Sequence, residues 1–103
     1  MPDPDPVLTV IDIMGTKQRW HILRCLLVGH TRFNQIKREC RMSSAALSRT
    51  LKYLEHKGII SRINSGKAMH TEYALTDTGR EFSSVINAMA RLGRRVKSAP
   101  DGK

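Results

Sequence analysis

Ser44, Ala45, Ser48, Arg49 and Lys52 recur at steps of three and four, which stacks them on one face of a helix with small side chains beside cations. Such a face has a definite chemistry. The small residues allow another molecular surface to come close to the backbone, and a guanidinium offers two parallel donors to the paired acceptors of a guanine edge. A helix start capped by Ser43 adds free N–H groups suited to phosphate. Lys37 and Arg38 stand a few positions before that cap, and Arg62, Asn64, Ser65, Lys67 and His70 crowd a later stretch rich in turn formers. Cations and donors of that kind suit a flanking sugar-phosphate backbone or a minor groove. The chain as a whole carries 18 Lys+Arg against 9 Asp+Glu, a formal charge of +9, which points to a polyanionic partner.

Other chemistries find less support. His21 and Cys25 lie four apart and fall one helical turn from each other, but two further metal ligands are not placed beside them, so they read as an incidental surface pair. Cys40 stands one turn after Ile36 and reads as a small core residue, although Arg38 and Arg41 flank it and would favour a thiolate. His30 falls in a turn and His56 on an exposed face, neither with a nucleophile or carboxylate at useful spacing. No phosphate loop and no H-E-x-x-H pattern occurs. No catalysis, metal or cofactor is expected.

The elements that must hold these residues are few, because 103 residues allow one domain. Apolar residues make up 40% and aromatics 5%, which suits one compact core of Leu, Ile, Val and Met with no large ligand vault. The longest apolar runs are far shorter than the roughly 20 residues that cross a bilayer. The opening Met1-Pro2-Asp3-Pro4-Asp5-Pro6 does not resemble an export signal, so a reducing cytoplasm and free thiols are expected. Residues 1–5 and 98–103 read as flexible ends around a domain over 6–97.

Within it, Pro6 opens a short helix through Met14 that is apolar nearly all round. A second runs from about Thr16 to Val28, with Trp20, Ile22, Leu23, Leu26 and Leu27 on one face and Gly29 past its end. Asn34 is expected to cap a third, ending near Cys40, and Ser43 a fourth over 44–57 whose inward stripe is Leu47, Leu51 and Leu54. Ile59 to Ile63 and Met69 to Leu75 then read as a hairpin around a basic tip. Thr76 caps a last helix from about Asp77 to Lys97, where Phe82, Val85, Ile86, Met89, Leu92 and Val96 keep a helical repeat. The order is a helix-turn-helix followed by a wing: a mainly α domain of five to six helices with a small β-hairpin. The last stripe, with Val7, Leu8 and Ile11 of the first helix, calls for cover on a second side. A two-fold contact between terminal helices supplies it, so a homodimer is expected.

These residues resemble the HxlR-type winged-helix transcriptional regulators, which are MarR-like. The matching stretches are Gly15-Thr16-Lys17, Ile22-Leu23-Arg24 with Leu26-Leu27, and Arg32-Phe33-Asn34-Gln35-Ile36-Lys37-Arg38. Others are Leu47-Ser48-Arg49-Thr50-Leu51, Leu54-Glu55-His56-Lys57-Gly58-Ile59-Ile60 and Tyr73-Ala74-Leu75-Thr76-Asp77-Thr78-Gly79-Arg80. The resemblance implies a dimeric repressor or activator that binds double-stranded DNA, with Ser44, Ala45, Ser48, Arg49 and Lys52 on the recognition helix and residues 64–70 in the wing. The chain departs from the pattern at Gln18, where tryptophan is common, with Trp20 two positions later. Asp5 stands near the place of the cysteine that oxidant-sensing members carry before the first helix, so a thiol sensor is not implied. Two other readings fit the same charge: an architectural protein that binds DNA without sequence preference, and a winged helix that meets an acidic protein.

Overall fold

Capping side chains set most of the helix starts. A computed structural model of the chain describes residues 5–63 and 71–98. Helix α1 (Pro6–Met14) begins at Asp5, whose Oδ1 accepts from Val7 N–H at 2.9 Å, with proline at the first turn. Helix α2 (Lys17–Leu27) begins at Thr16, whose Oγ1 accepts from Arg19 N–H at 3.2 Å. Helix α3 (Phe33–Cys40) starts one residue before the position expected of an Asn34 cap. Arg32 occupies the cap and makes no side-chain hydrogen bond to it. The reason lies across the chain: Phe33 N–H donates to Thr71 O at 3.4 Å and Tyr73 N–H to Thr31 O at 2.9 Å. Thr71 O thus accepts from the first N–H of the helix, one of the donors that a helix start leaves without an intrahelical partner.

Helix α4 (Ser44–His56) is capped by Ser43 and buries Leu47, Leu51 and Leu54, as its spacing requires. Both α2 and α4 end on a glycine with positive φ, Gly29 at 100° and Gly58 at 77°. His30 N–H reaches back to Cys25 O and Ile59 N–H to Leu54 O, the long bond of a Schellman ending. Strands β1 (Ile60–Ile63) and β2 (Glu72–Leu75) pair antiparallel, Ile60 opposite Leu75 and Ile63 opposite Glu72. Arg32 adds an isolated bridge to Glu72, so the loop between α2 and α3 lies along the hairpin as a rudimentary third strand.

The single last helix expected over 77–97 is divided. A four-residue α5 (Asp77–Arg80) is separated by Glu81 from the 17-residue α6 (Phe82–Ser98). Glu81 N–H donates to Thr78 O, a tighter bond than the α-helical one. Packing explains the division. Gly79 seats against the Ile59 carbonyl so closely that a Cβ there would collide with it, which draws α5 onto the sheet while α6 runs on. Ile22, Leu23, Ile36, Leu47 and Leu54 are wholly buried at the centre, each contributing about 1.5–3 kcal/mol by leaving water. Phe82, expected in the outward stripe of the last helix, is 6% exposed and belongs to this core, and Ile86 is half-buried against it. The rest of the stripe is not covered: Val85, Met89, Leu92 and Val96 are exposed, as are Val7, Leu8 and Ile11 of α1.

Candidate nucleic-acid interface

The turn between α3 and α4 orients the site. Arg41 takes a left-handed conformation with φ 54° and ψ 49°, the one non-glycine residue with positive φ among the described residues. Met42 N–H closes the end of α3 on Lys37 O at 3.2 Å, and the Met42 side chain is buried, pinning the turn to the core. Ser43 then caps α4 by accepting from Ala46 N–H at 3.1 Å. With three leucines facing inward, the opposite face of α4 is left to solvent. Ser44, Ala45, Arg49 and Lys52 are exposed and Ser48 is half-buried.

Among the described residues, the charge on that outward face is unpaired. Ion pairs among the described residues join Arg32 to Glu72, Arg62 to Glu55 and Arg80 to Asp77, and neither Arg49 nor Lys52 takes part in any of them. Their charge is available to a partner. Arg38 is exposed on α3 and Lys37 half-buried, one element before the turn. Arg62, on β1, is exposed but stands 4.0 Å from a Glu55 oxygen on α4, so its cation is partly offset. Asn64, Ser65, Lys67 and His70, expected at the tip of the wing, lie outside the described residues. The helix face, the turn and the base of the hairpin are thus brought to one framework. A helix about 10–12 Å across with a polar, cationic face of this kind fits a major groove.

Two contacts escaped the sequence reading. Arg19 of α2 donates from Nη1 to Asp12 O of α1 at 2.6 Å, and its guanidinium carbon lies 3.9 Å from the ring centroid of Tyr53 on α4. An arginine and a tyrosine 34 positions apart leave no local pattern. Cys25 differs from expectation as well. Cys25 is buried rather than at a polar edge beside His21, and its sulfur lies 3.6 Å from that of Cys40. Both are free thiols. Burial pushes the Cys40 thiol up to about 12, and the contact with Cys25 adds to the rise. Burial also raises Cys25, partly offset by its bond to Cys40. Flanking Arg38 and Arg41 do not hold Cys40 as a thiolate, and its half-burial against the core agrees with the small core residue its spacing suggests.

Among the described residues no three metal-ligating side chains converge, and no helix is long and apolar enough to cross a membrane.

Comparison with known proteins agrees with this arrangement. Residues 13–100 match the family described as HxlR-like helix-turn-helix. Over 98 residues the chain is 33% identical to an uncharacterised HTH-type transcriptional regulator, YdeP, of Bacillus subtilis, covering 93% of this chain and 77% of that protein. It is 34% identical over 90 residues to the HTH-type transcriptional regulator sll1512 of Synechocystis, covering 85% and 67%. Among solved structures, the redox regulator HypR in its reduced form superposes with a TM-score of 0.82 at 25% identity, over 96% of this chain and all of that one. The match spans the capped α4, the turn before it and the hairpin behind it, and the chain belongs to the HxlR-like helix-turn-helix family.

Proposed function

We infer that this chain is a sequence-specific regulator of transcription that binds double-stranded DNA in the cytoplasm as a homodimer, one α4 in the major groove of each half of a pseudo-palindromic site. The observation that carries the reading is the outward face of α4. Ser44, Ala45, Arg49 and Lys52 are exposed on a helix whose other face is held by buried leucines, and neither cation is engaged in an ion pair. A base-reading helix needs that combination: fixed behind, small and charged in front. Arg38 on α3, Arg62 on β1 and the wing-tip residues Asn64, Ser65, Lys67 and His70 are the expected phosphate contacts.

The homodimer is supported by what the single chain leaves uncovered. Helices α1 and α6 line an open groove of about 510 Å³ with Val7, Val10, Ile11, Val85 and Met89, and Leu92 and Val96 extend the apolar stripe. Contiguous exposed apolar faces mark contact sites, and a two-fold contact uses the same patch on both copies.

Selection of duplexes from a random pool tests the reading. Recovery of a restricted, inverted-repeat sequence is the expected result. Uniform recovery would favour an architectural protein, and no retention even at low salt would favour a module that meets an acidic protein.

A further inference from the structure

Arg19 is a residue of α2 whose side chain serves two other helices. Its Nη1 donates to the Asp12 carbonyl in the last turn of α1, and the flat of the same guanidinium covers the Tyr53 ring in α4. The first contact gives a donor to a helix-end carbonyl, where a cation is also favoured by the helix dipole. The second is a cation–π contact, and Lys57 Nζ stands 5.7 Å from the same ring. Only a planar guanidinium does both at once, because its donors lie in the plane and its face is free to stack.

The two helices so joined are those whose relative placement matters most to a dimer on DNA. Helix α1 exposes Val7, Leu8 and Ile11, while Ile13 is its one buried residue. Val10 and Met14 are half-buried against the core, and Gly15 and Thr16 join the helix to α2. Helix α4 carries Arg49 one turn before Tyr53. We propose that Arg19 is a positioning residue that locks the recognition helix to the dimerising helix α1 through Tyr53 and Asp12, and so sets the half-site spacing that the dimer accepts. The proposal rests on the dimeric, DNA-binding reading above.

One inserted base pair moves a half-site by about 3.4 Å and turns it by roughly 35°. A rigid link discriminates against that insertion, and a loose one tolerates it. The test uses the duplex selected by the parent protein and the same duplex with one base pair inserted between its halves, together with sedimentation of each variant. Arg19→Ala and Tyr53→Leu are expected to sediment as dimers and to lose the parent's preference between the two duplexes by roughly tenfold. Binding to a single isolated half-site should hardly change, which a general loss of structure would not spare. Tyr53→Phe keeps the ring and should restore the preference. Arg19→Lys keeps the charge and the long stem but cannot both stack and donate; it should fold, dimerise and still lose the spacing preference, which gives the test a second variant where Arg19→Ala fails to fold.

A dimeric Arg19→Lys and a dimeric Tyr53→Leu that both keep the parent's spacing preference would overturn the proposal. A monomeric parent, or a parent indifferent to spacing, would instead overturn the reading on which it rests.

Discussion

Arg49 and Arg38 are both exposed arginines, yet their positions ask different things of them. Arg49 stands on the exposed face of α4 proposed to enter the groove, where a bidentate contact to guanine would discriminate by about 1–3 kcal/mol. Arg38 lies on α3, the helix that crosses the backbone in such motifs, where a cation meets phosphate. Arg49→Ala should therefore weaken the selected duplex far more than a scrambled one. Arg38→Ala should weaken both alike and lower the slope of log affinity against log salt by about one charge per subunit. Binding of both duplexes across a salt series measures the two effects. If Arg38→Ala erased the sequence preference and Arg49→Ala left it intact, the roles assigned here would be reversed.

The buried thiols give a prediction of a different kind. Their folded values lie above the ordinary 9, at about 12 for Cys40. Below pH 9 both folded and unfolded chains keep them protonated, and this contribution to stability is intact. As pH rises from 9 toward 12 the unfolded chain ionises first and the contribution is lost. Alkylation by iodoacetamide at pH 7.5 should be slow in the folded protein and fast in urea, and chemical stability should fall between pH 9 and 11 by less in Cys40→Ser than in the parent. Rapid alkylation of the native protein at neutral pH would show that burial does not control these sulfurs. Neither this pair nor the Arg19–Tyr53 contact was legible in the sequence, since each joins residues on different helices through the packing alone.

At the scale of elements, the joint between hairpin and last helices depends on Thr76 and Gly79. Thr76 Oγ1 accepts from Gly79 N–H at 3.0 Å, its backbone N–H donates to Ile59 O at 3.0 Å, and its hydroxyl lies 2.6 Å from Gly58 O. That bonding brings Gly79 onto the Ile59 carbonyl, where a Cβ has no room and Leu75 Cδ2 stands 3.1 Å away. Gly79→Ala should cost about 2–3 kcal/mol, lowering the melting temperature at fixed protein concentration by roughly 10–20 °C. An unchanged melting curve would mean that α5 yields without penalty. Periodicity made the other helices legible, because one strongly apolar stripe per helix has only one core to face. Leu47, Leu51 and Leu54 are such a stripe, and all three are buried. The division at Glu81 was hidden for the converse reason: the repeat runs unbroken through Phe82, while Gly79 is packed against the carbonyl of Ile59, 20 positions earlier and just before β1. Arg41 was equally unreadable as a left-handed residue, a role that sequence patterns assign to glycine.

For the whole molecule, the uncovered stripe on α6 is the feature that bears on assembly. Met89, 54% exposed, stands near the middle of the stripe. Met89→Asp would set a carboxylate in the proposed two-fold contact on both copies, and monomers with weakened DNA binding are expected by sedimentation and duplex titration, with the α4 face itself untouched. An undisturbed, fully active dimer would remove α6 from the interface. The base of the hairpin bears on how such a dimer meets its site. Thr31 and Phe33 are bonded through their backbones to Tyr73 and Thr71, and Thr31 Oγ1 donates to Glu72 at 3.2 Å, so the hairpin and the two helices before the turn are stitched into one piece. A protein built in that way has little freedom to adjust its grip, and the duplex has to adjust instead. Its preference should then extend to base pairs that no side chain reaches, where the stiffness of a step or the width of the minor groove decides how readily DNA takes the shape the two fixed surfaces demand.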